Sequence, residues 1–276
     1  MTQRFEQLQR AAGWIKEADG LLITAGAGMG VDSGLPDFRG EEGFWAAYPA
    51  LGRAGLSFED IANPQAFLSD PRRAWGFYGH RLSLYRAIVP HHGFTLLRQW
   101  ADRMPSGAFV FTSNVDGHFG KAGFSDQRIV ECHGSIHAMQ CVNACSGAVW
   151  SAEGFEPDVD EVSCLLQGDL PTCPHCAGLA RPHILMFDDV DWHHTSAVQQ
   201  RWRLEQWIAA TRHLVVIEIG AGSALPTVRR FGERYGPRVI RINAREAAIA
   251  PHIGTGIAGS AIDVLRELDS FSQERS

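Results

Sequence analysis

Four cysteines stand in two close pairs, Cys141 with Cys145 and Cys173 with Cys176. Four thiolates suit a tetrahedral zinc ion, and a closed all-cysteine set of this kind is structural rather than catalytic. The second pair, CPHC, has knuckle spacing; the first is one residue longer. Cys164 lies between the pairs and is an alternative ligand if the longer turn is unfavourable, and His175 is also close. Cys132 reads as a buried strand thiol. A different chemistry is offered by residues 26–40, GAGMGVDSGLPDFRG. Glycines let a backbone approach a pyrophosphate closely, and the start of a following helix adds a favourable dipole. GAG alone is also a common tight turn, but here Ser33, Pro36, Asp37 and Arg39 follow it in a combination rare by chance. A third candidate is Tyr78 with Arg81, at i and i+3 and therefore on one helix face. A phenol and a guanidinium side by side can bind a carboxylate. The same pair can equally be a solvated or packing pair on an amphipathic helix.

These groups need elements to hold them. LLITAGAG, residues 21–28, is a short apolar run ending in glycines, the pattern of a buried parallel strand entering a phosphate loop. Residues 109–117, 214–223 and 238–243 read as three more strands with polar or glycine-rich tips. Helical segments fall between them, at 195–212 and 262–268, after a first helix at 3–19 with Phe5, Leu8, Ala12 and Ile15 on its apolar face. The alternation predicts an α/β fold, a Rossmann-like parallel sheet. Ligands of such sheets bind at the carboxyl ends of the strands, so the four tips should converge on one cleft. Two stretches break the alternation. Residues 41–90 read as a helical insertion with Trp45, Trp75 and Phe77 in its core, and residues 138–183 as a small zinc-binding insertion. Residues 1–276 otherwise form one domain, with a loose tail at the end.

Composition narrows the function classes. The 276 residues are 45% apolar and 20% charged, as in ordinary soluble globular proteins. A net charge of −6 argues against a basic surface for nucleic acid. Only Lys16 and Lys121 are lysines, so arginine carries the positive charge. No apolar run is long enough to span a bilayer, and the polar start does not resemble a secretory signal. Close cysteine pairs in such a chain favour metal over disulfides. The expectation is a cytoplasmic enzyme without membrane or direct nucleic-acid partners.

With these residues in view, the chain resembles the sirtuin family. GAGMGVDSGLPDFRG is similar to the family signature GAGxSxxSGIPDFR. TSNVDGHF at 112–119 resembles TQNxDxLH, and HGSIHAMQC at 133–141 resembles the HG segment that leads to the first zinc cysteine. EIGAGS and RIN resemble two further strand ends. The matches keep their order over roughly residues 10–268. The resemblance implies NAD-dependent removal of acyl groups from protein lysines, with zinc as a structural metal. The acyl oxygen attacks C1′ of the nicotinamide ribose, nicotinamide leaves, and a histidine then acts as general base on the ribose hydroxyls.

On this resemblance His133 is the base; its unperturbed pKa range suits the task. Asn114 holds the ribose and a water, and Asp116 the nicotinamide carboxamide. Gly26, Ala27 and Gly28 line the pyrophosphate, Asp37, Phe38 and Arg39 cover the nicotinamide ribose, and Ser113 lies near it. Gly220, Ala221 and Gly222 face the adenosine, with Asn243 near its ribose. Phe187 lies beside the acyl-lysine tunnel, and the peptide joins by β-augmentation. Tyr78 and Arg81 resemble the pair of the class that removes succinyl and malonyl groups. The chain departs from the family at Gly30, Ser113, His118–Phe119 and the GAG end at 220–222. Asp188–Asp189 replaces a Gly–Glu and is expected to disfavour acidic peptides. ADP-ribosyl transfer and NAD hydrolysis are the competing activities on this scaffold. A non-catalytic NAD-binding module is disfavoured by the presence of Asn114, Asp116 and His133.

Overall fold

The computed structural model describes residues 2–36 and 40–273. Among these residues eleven strands run in chain order: β1 (Gly20–Ala25), β2 (Ala108–Thr112), β3 (Ile129–Glu131), β4 (Gly134–Cys141), β5 (Val149–Ser151), β6 (Val159–Asp160), β7 (Leu165–Leu166), β8 (Ala180–Ile184), β9 (Leu214–Ile219), β10 (Val239–Asn243) and β11 (Gly254–Ala258). Six of them form a parallel sheet in the order β11-β10-β9-β1-β2-β3. β1 is buried along its whole length, as its apolar sequence, broken only by Thr24, requires of a strand covered on both faces. Leu21, Ile23 and Ala25 pack on one side with Leu8, Phe94, Trp100 and Leu265. Leu22 packs on the other with Leu204, Trp207 and Phe231. Helices Thr2–Glu17, His92–Asp102 and Ala261–Gln273 therefore cover one face, and Thr195–Ala210 and Thr227–Glu233 the other.

Two strands of the parallel sheet escape the sequence reading. β3 has three residues, and β11, GTGIA, hides its strand pattern behind two glycines. The last helix continues to Gln273, so most of the stretch expected as a loose tail is helical. Among the described residues no helix is long and apolar enough to cross a membrane.

The second lobe joins the two stretches that break the alternation. Helices between Gly40 and Ala87 pack on a three-stranded antiparallel sheet, β5-β4-β8, and on the β6–β7 pair. One hydrophobic cluster spans both, from Leu51, Phe67 and Trp75 to Met139, Leu166 and Ile184. The Trp75 indole also donates to the Ala180 carbonyl at 2.9 Å. Trp75 and Phe77 are fully buried and Trp45 packs at the margin of this core. The main helix, Pro71–Ala87, starts where it does because the Asp70 side chain accepts from the Arg73 N–H and proline occupies the first turn.

The parallel sheet changes direction around β1. The chain leaves β1 toward β2 on one side and later returns to β9 on the other, and the crevice at such a switch point is where a ligand fits. At its floor the glycine loop after β1 meets the tip of β9. Gly220 has φ of 62°, and a Cβ there would run into the backbone of Gly28 and Met29. Gly220→Ala is expected to lower stability by roughly 1–3 kcal/mol. Urea unfolding measures this; an unchanged midpoint would contradict the packing described.

Candidate active site

The tips of β9, β1, β2 and β3 are tied sideways by backbone hydrogen bonds. Gly26 N–H donates to Ile219 O at 2.9 Å and Gly28 N–H to Gly220 O at 3.0 Å. Ser113 N–H donates to Ala25 O at 3.1 Å, Cys132 N–H to Thr112 O at 2.9 Å, and Ile136 N–H to Val115 O at 3.0 Å. The Asn114 side chain adds a bond from Nδ2 to Gly26 O at 3.1 Å. Thr112, which the sequence reading does not single out, accepts the Asn114 N–H and donates to Ala25 O, both at 3.0 Å. A hydroxyl immediately before the S-N-x-D run was the available signal. The structure thus brings Gly26, Ala27, Gly28, Ser113, Asn114, Asp116, His133, Gly220, Ala221 and Gly222 to one end of the sheet. Asp37, Phe38 and Arg39 lie outside the described residues.

His133 follows β3 and precedes β4. Its carbonyl accepts from Leu185 N–H at 2.9 Å, so the residue is fixed by its backbone. Its ring makes no hydrogen bond among the described residues, and burial holds its pKa below the usual histidine range. Gly134, next to it, has φ of 78°, and a Cβ there would collide with the His183 carbonyl. Asp116 is buried and its Oδ1 accepts the His118 N–H at 2.9 Å. His137 Nε2 lies 2.9 Å from the Asp116 carbonyl. His118 is buried against Tyr85 and Phe94, and burial lowers its pKa.

Where the β9 and β10 tips meet, Asn243 makes three internal hydrogen bonds. Its Nδ2 donates to Ala221 O, and its Oδ1 accepts from Arg245 and Glu246 N–H, all at 3.0 Å. Arg229 reinforces the same loop, donating to Ala221 O at 2.8 Å and pairing with Glu246 at 2.8 Å. Asn243 therefore shapes the β9 tip. Glu246 in turn accepts from the backbone and hydroxyl of Ser223, each at 3.0 Å.

In the second lobe Phe187 is anchored by its N–H to Ala62 O at 2.9 Å. Its ring faces Phe58 at 6.0 Å, and Phe58 faces Phe77 at 6.3 Å. Tyr78 and Arg81 are both buried, so they are not a solvated pair. The Arg81 guanidinium lies 5.1 Å from the Phe77 ring centre and 5.6 Å from that of Tyr78. The expectation for Asp188–Asp189 needs correction. Asp189 is fully buried in a two-pronged ion pair with Arg181, at 2.8 and 2.7 Å. Of the two, Asp188 is the one exposed to solvent.

The sulfurs of Cys141, Cys145, Cys173 and Cys176 all lie within 4.8 Å of one another. Two of the separations are 3.7 and 3.6 Å, close to the spacing of about 3.8 Å that a tetrahedron with zinc–sulfur bonds of ~2.3 Å requires. The longer first turn is accommodated by Ala144, whose φ is 46°. Cys164 is not part of this cluster; it packs in the core of the second lobe. Cys132 is a poor nucleophile, with burial pushing its thiol up to about 12.

Comparison with known proteins agrees with this geometry. Residues 26–216 match the model of the Sir2 family. The chain is 31% identical over 249 residues to NAD-dependent protein deacylase 2 of Pyrobaculum aerophilum, covering 90% of this chain and 88% of that one. The fold is shared with a chain solved for the mechanism and regulation of Sir2 enzymes, at TM-score 0.72 and 21% identity, covering 98% and 99% of the two chains. A Sir2 homologue in complex with NAD gives TM-score 0.71 at 24% identity, covering 99% of this chain and 95% of that one. The chain belongs to the Sir2 family.

Metal analysis tests the cysteine set. Cys176→Ser is expected to lose most of the bound zinc and to lower the melting temperature, whereas Cys164→Ala keeps the zinc of wild type. Loss of zinc from Cys164→Ala alone would contradict the assignment.

Proposed function

We propose that the chain removes acyl groups from protein lysines with consumption of NAD, releasing nicotinamide and O-acyl-ADP-ribose. The observation that carries this reading is the His133 imidazole, held by its backbone beside the Asn114 and Asp116 tips with its ring uncommitted. NAD supplies a ribose carbon that becomes electrophilic when its bond to nicotinamide breaks. The residues of the chain do the remainder. The loops at 26–28 and 220–222 leave no room for side chains where they touch, which suits a pyrophosphate seated on backbone. Asn114, pinned to Gly26 O, sets the distance between that loop and the reacting sugar. Asp116 is placed to orient the carboxamide. His133, kept neutral by burial, takes a proton from a ribose hydroxyl. Asp37, Phe38 and Arg39 would cover the nicotinamide end. The four cysteines would hold zinc away from the chemistry, fixing the β4–β8 pair. Residues 41–90 and 138–183 act as insertions in a single catalytic domain, and Phe187 borders the acyl-lysine tunnel.

Tyr78 and Arg81 favour an acidic acyl group, succinyl or malonyl, over acetyl alone. They sit at the end of the aromatic series from Phe187 through Phe58 and Phe77, a wall suited to the methylenes of an acyl-lysine. A reducing, cytoplasmic setting fits thiols that form no disulfide.

Mass detection of deacylated peptide and O-acyl-ADP-ribose tests the reaction. His133→Ala is expected to reduce both by about 10²-fold or more; retention of activity would refute the assigned base. The lowered pKa of His133 keeps the base form present to lower pH. The acid limb of kcat/KM is therefore expected below the unperturbed value of about 6.5; a limb above it would contradict the burial argument. Arg81→Met is expected to lower the ratio of desuccinylation to deacetylation, and an unchanged ratio would exclude the acidic-acyl preference.

A further inference from the structure

Tyr78, Arg81 and Tyr85 are spaced i, i+3 and i+7 on the helix Pro71–Ala87. At 100° per residue they fall within about 60° around the helix axis, one stripe of its surface. All three are buried. The Tyr85 hydroxyl lies 3.0 Å from Arg81 Nε and 2.8 Å from Arg81 Nη2, and its ring centre lies 5.3 Å from the guanidinium carbon.

The directions of these bonds decide what the hydroxyl can still do. A guanidinium has only donors, so the phenol oxygen of Tyr85 accepts in both. Its own O–H proton is not used by Arg81, and it meets no acceptor among the described residues. The Tyr78 hydroxyl makes no hydrogen bond among them either. Burial raises the pKa of both phenols, that of Tyr78 to about 12, so both protons are present at neutral pH. Two O–H donors and a guanidinium on one buried stripe are the complement of an anion with several acceptor atoms.

We propose that Tyr85 is a third group of the acyl subsite, orienting Arg81 and donating its hydroxyl to the carboxylate of an acidic acyl group. The inference rests on the acidic-acyl reading of Tyr78 and Arg81. Nothing covalent changes: the carboxylate accepts, and Arg81 and the phenols keep their protons. A two-point contact on one edge of the guanidinium also fixes its plane. That restricts the side chain before the ligand arrives, which lowers the ordering cost of binding.

The test compares succinyl-lysine and acetyl-lysine forms of one peptide at saturating NAD, for wild type, Tyr85→Phe and Arg81→Met. Tyr85→Phe retains the ring and removes only the hydroxyl. It is expected to raise KM for the succinyl peptide about tenfold, the usual scale for losing a hydrogen bond to a charged group, with a smaller change in kcat. The succinyl-to-acetyl ratio of kcat/KM should fall by a similar factor. In Arg81→Met, adding Tyr85→Phe should lower that ratio by less than it does in wild type, because the two groups act on one carboxylate. Tyr85→Met, which fills the space without a hydroxyl, is the second variant should Tyr85→Phe melt early. A ratio that falls in Arg81→Met but holds in both Tyr85 variants overturns the role of Tyr85 and leaves the acidic-acyl reading standing. A ratio unchanged in Arg81→Met, or a wild type that does not remove succinyl, overturns the acidic-acyl reading and this inference with it.

Discussion

The structure depends on the sideways hydrogen bonding of four neighbouring strand ends. Gly26 to Ile219, Ser113 to Ala25 and Cys132 to Thr112 are backbone bonds, so they hold whatever side chains the tips carry. What the sequence must supply is permission for the backbones to meet. That is why glycine occupies 26 and 220, where a Cβ would strike the opposite loop. Asn114 adds a side-chain tie from the β2 tip to the same loop. Once the tips are joined, the expected cofactor contacts and the base cannot drift apart, and positioning of this kind is a large part of what such a reaction needs.

The second lobe works through the β4–β8 pair. At one end of this pair Gly134 is paired with Ile184, between His133 and Leu185; at the other Cys141 is paired with Ala180, next to the cysteine set. A metal held at the far end would therefore stabilise a ladder whose near end places both His133 and the segment carrying Phe187. Arg181 and Asp189 pin that segment from inside, as a fully buried ion pair. Removing one partner of such a pair is costly, because the other charge is left buried alone. The segments carrying His133 and Phe187 are thus fixed by one piece of sheet, which shares its core with the helix Pro71–Ala87.

Much of this was legible in the residues. Apolar runs ending in glycine or in S-N-x-D mark strand tips, because a buried parallel strand needs unbroken hydrophobicity and its tip needs turn chemistry. The cysteine spacing marked the metal ligands for the same kind of reason, and geometry removed Cys164. The failures are also physical. β11 could not be seen because its glycines carry no pattern. Asp189 looks like a ligand-facing carboxylate in sequence, yet it spends its acceptors on Arg181 inside the protein. Sequence type does not reveal which way a polar side chain points, nor that the helical and cysteine-bearing stretches share one core. Nor does the Y-x-x-R spacing disclose the Tyr85 hydroxyl that meets Arg81 one helical turn further on.

The central claim is that the joined strand tips and His133 serve acyl-lysine removal, not simple breakage of NAD. Nicotinamide release measured with and without an acyl-lysine peptide tests it most directly. The account requires release that depends on the peptide and matches the deacylated product mole for mole. Release at the same rate without peptide would contradict it and make the chain an NAD glycohydrolase on the same scaffold.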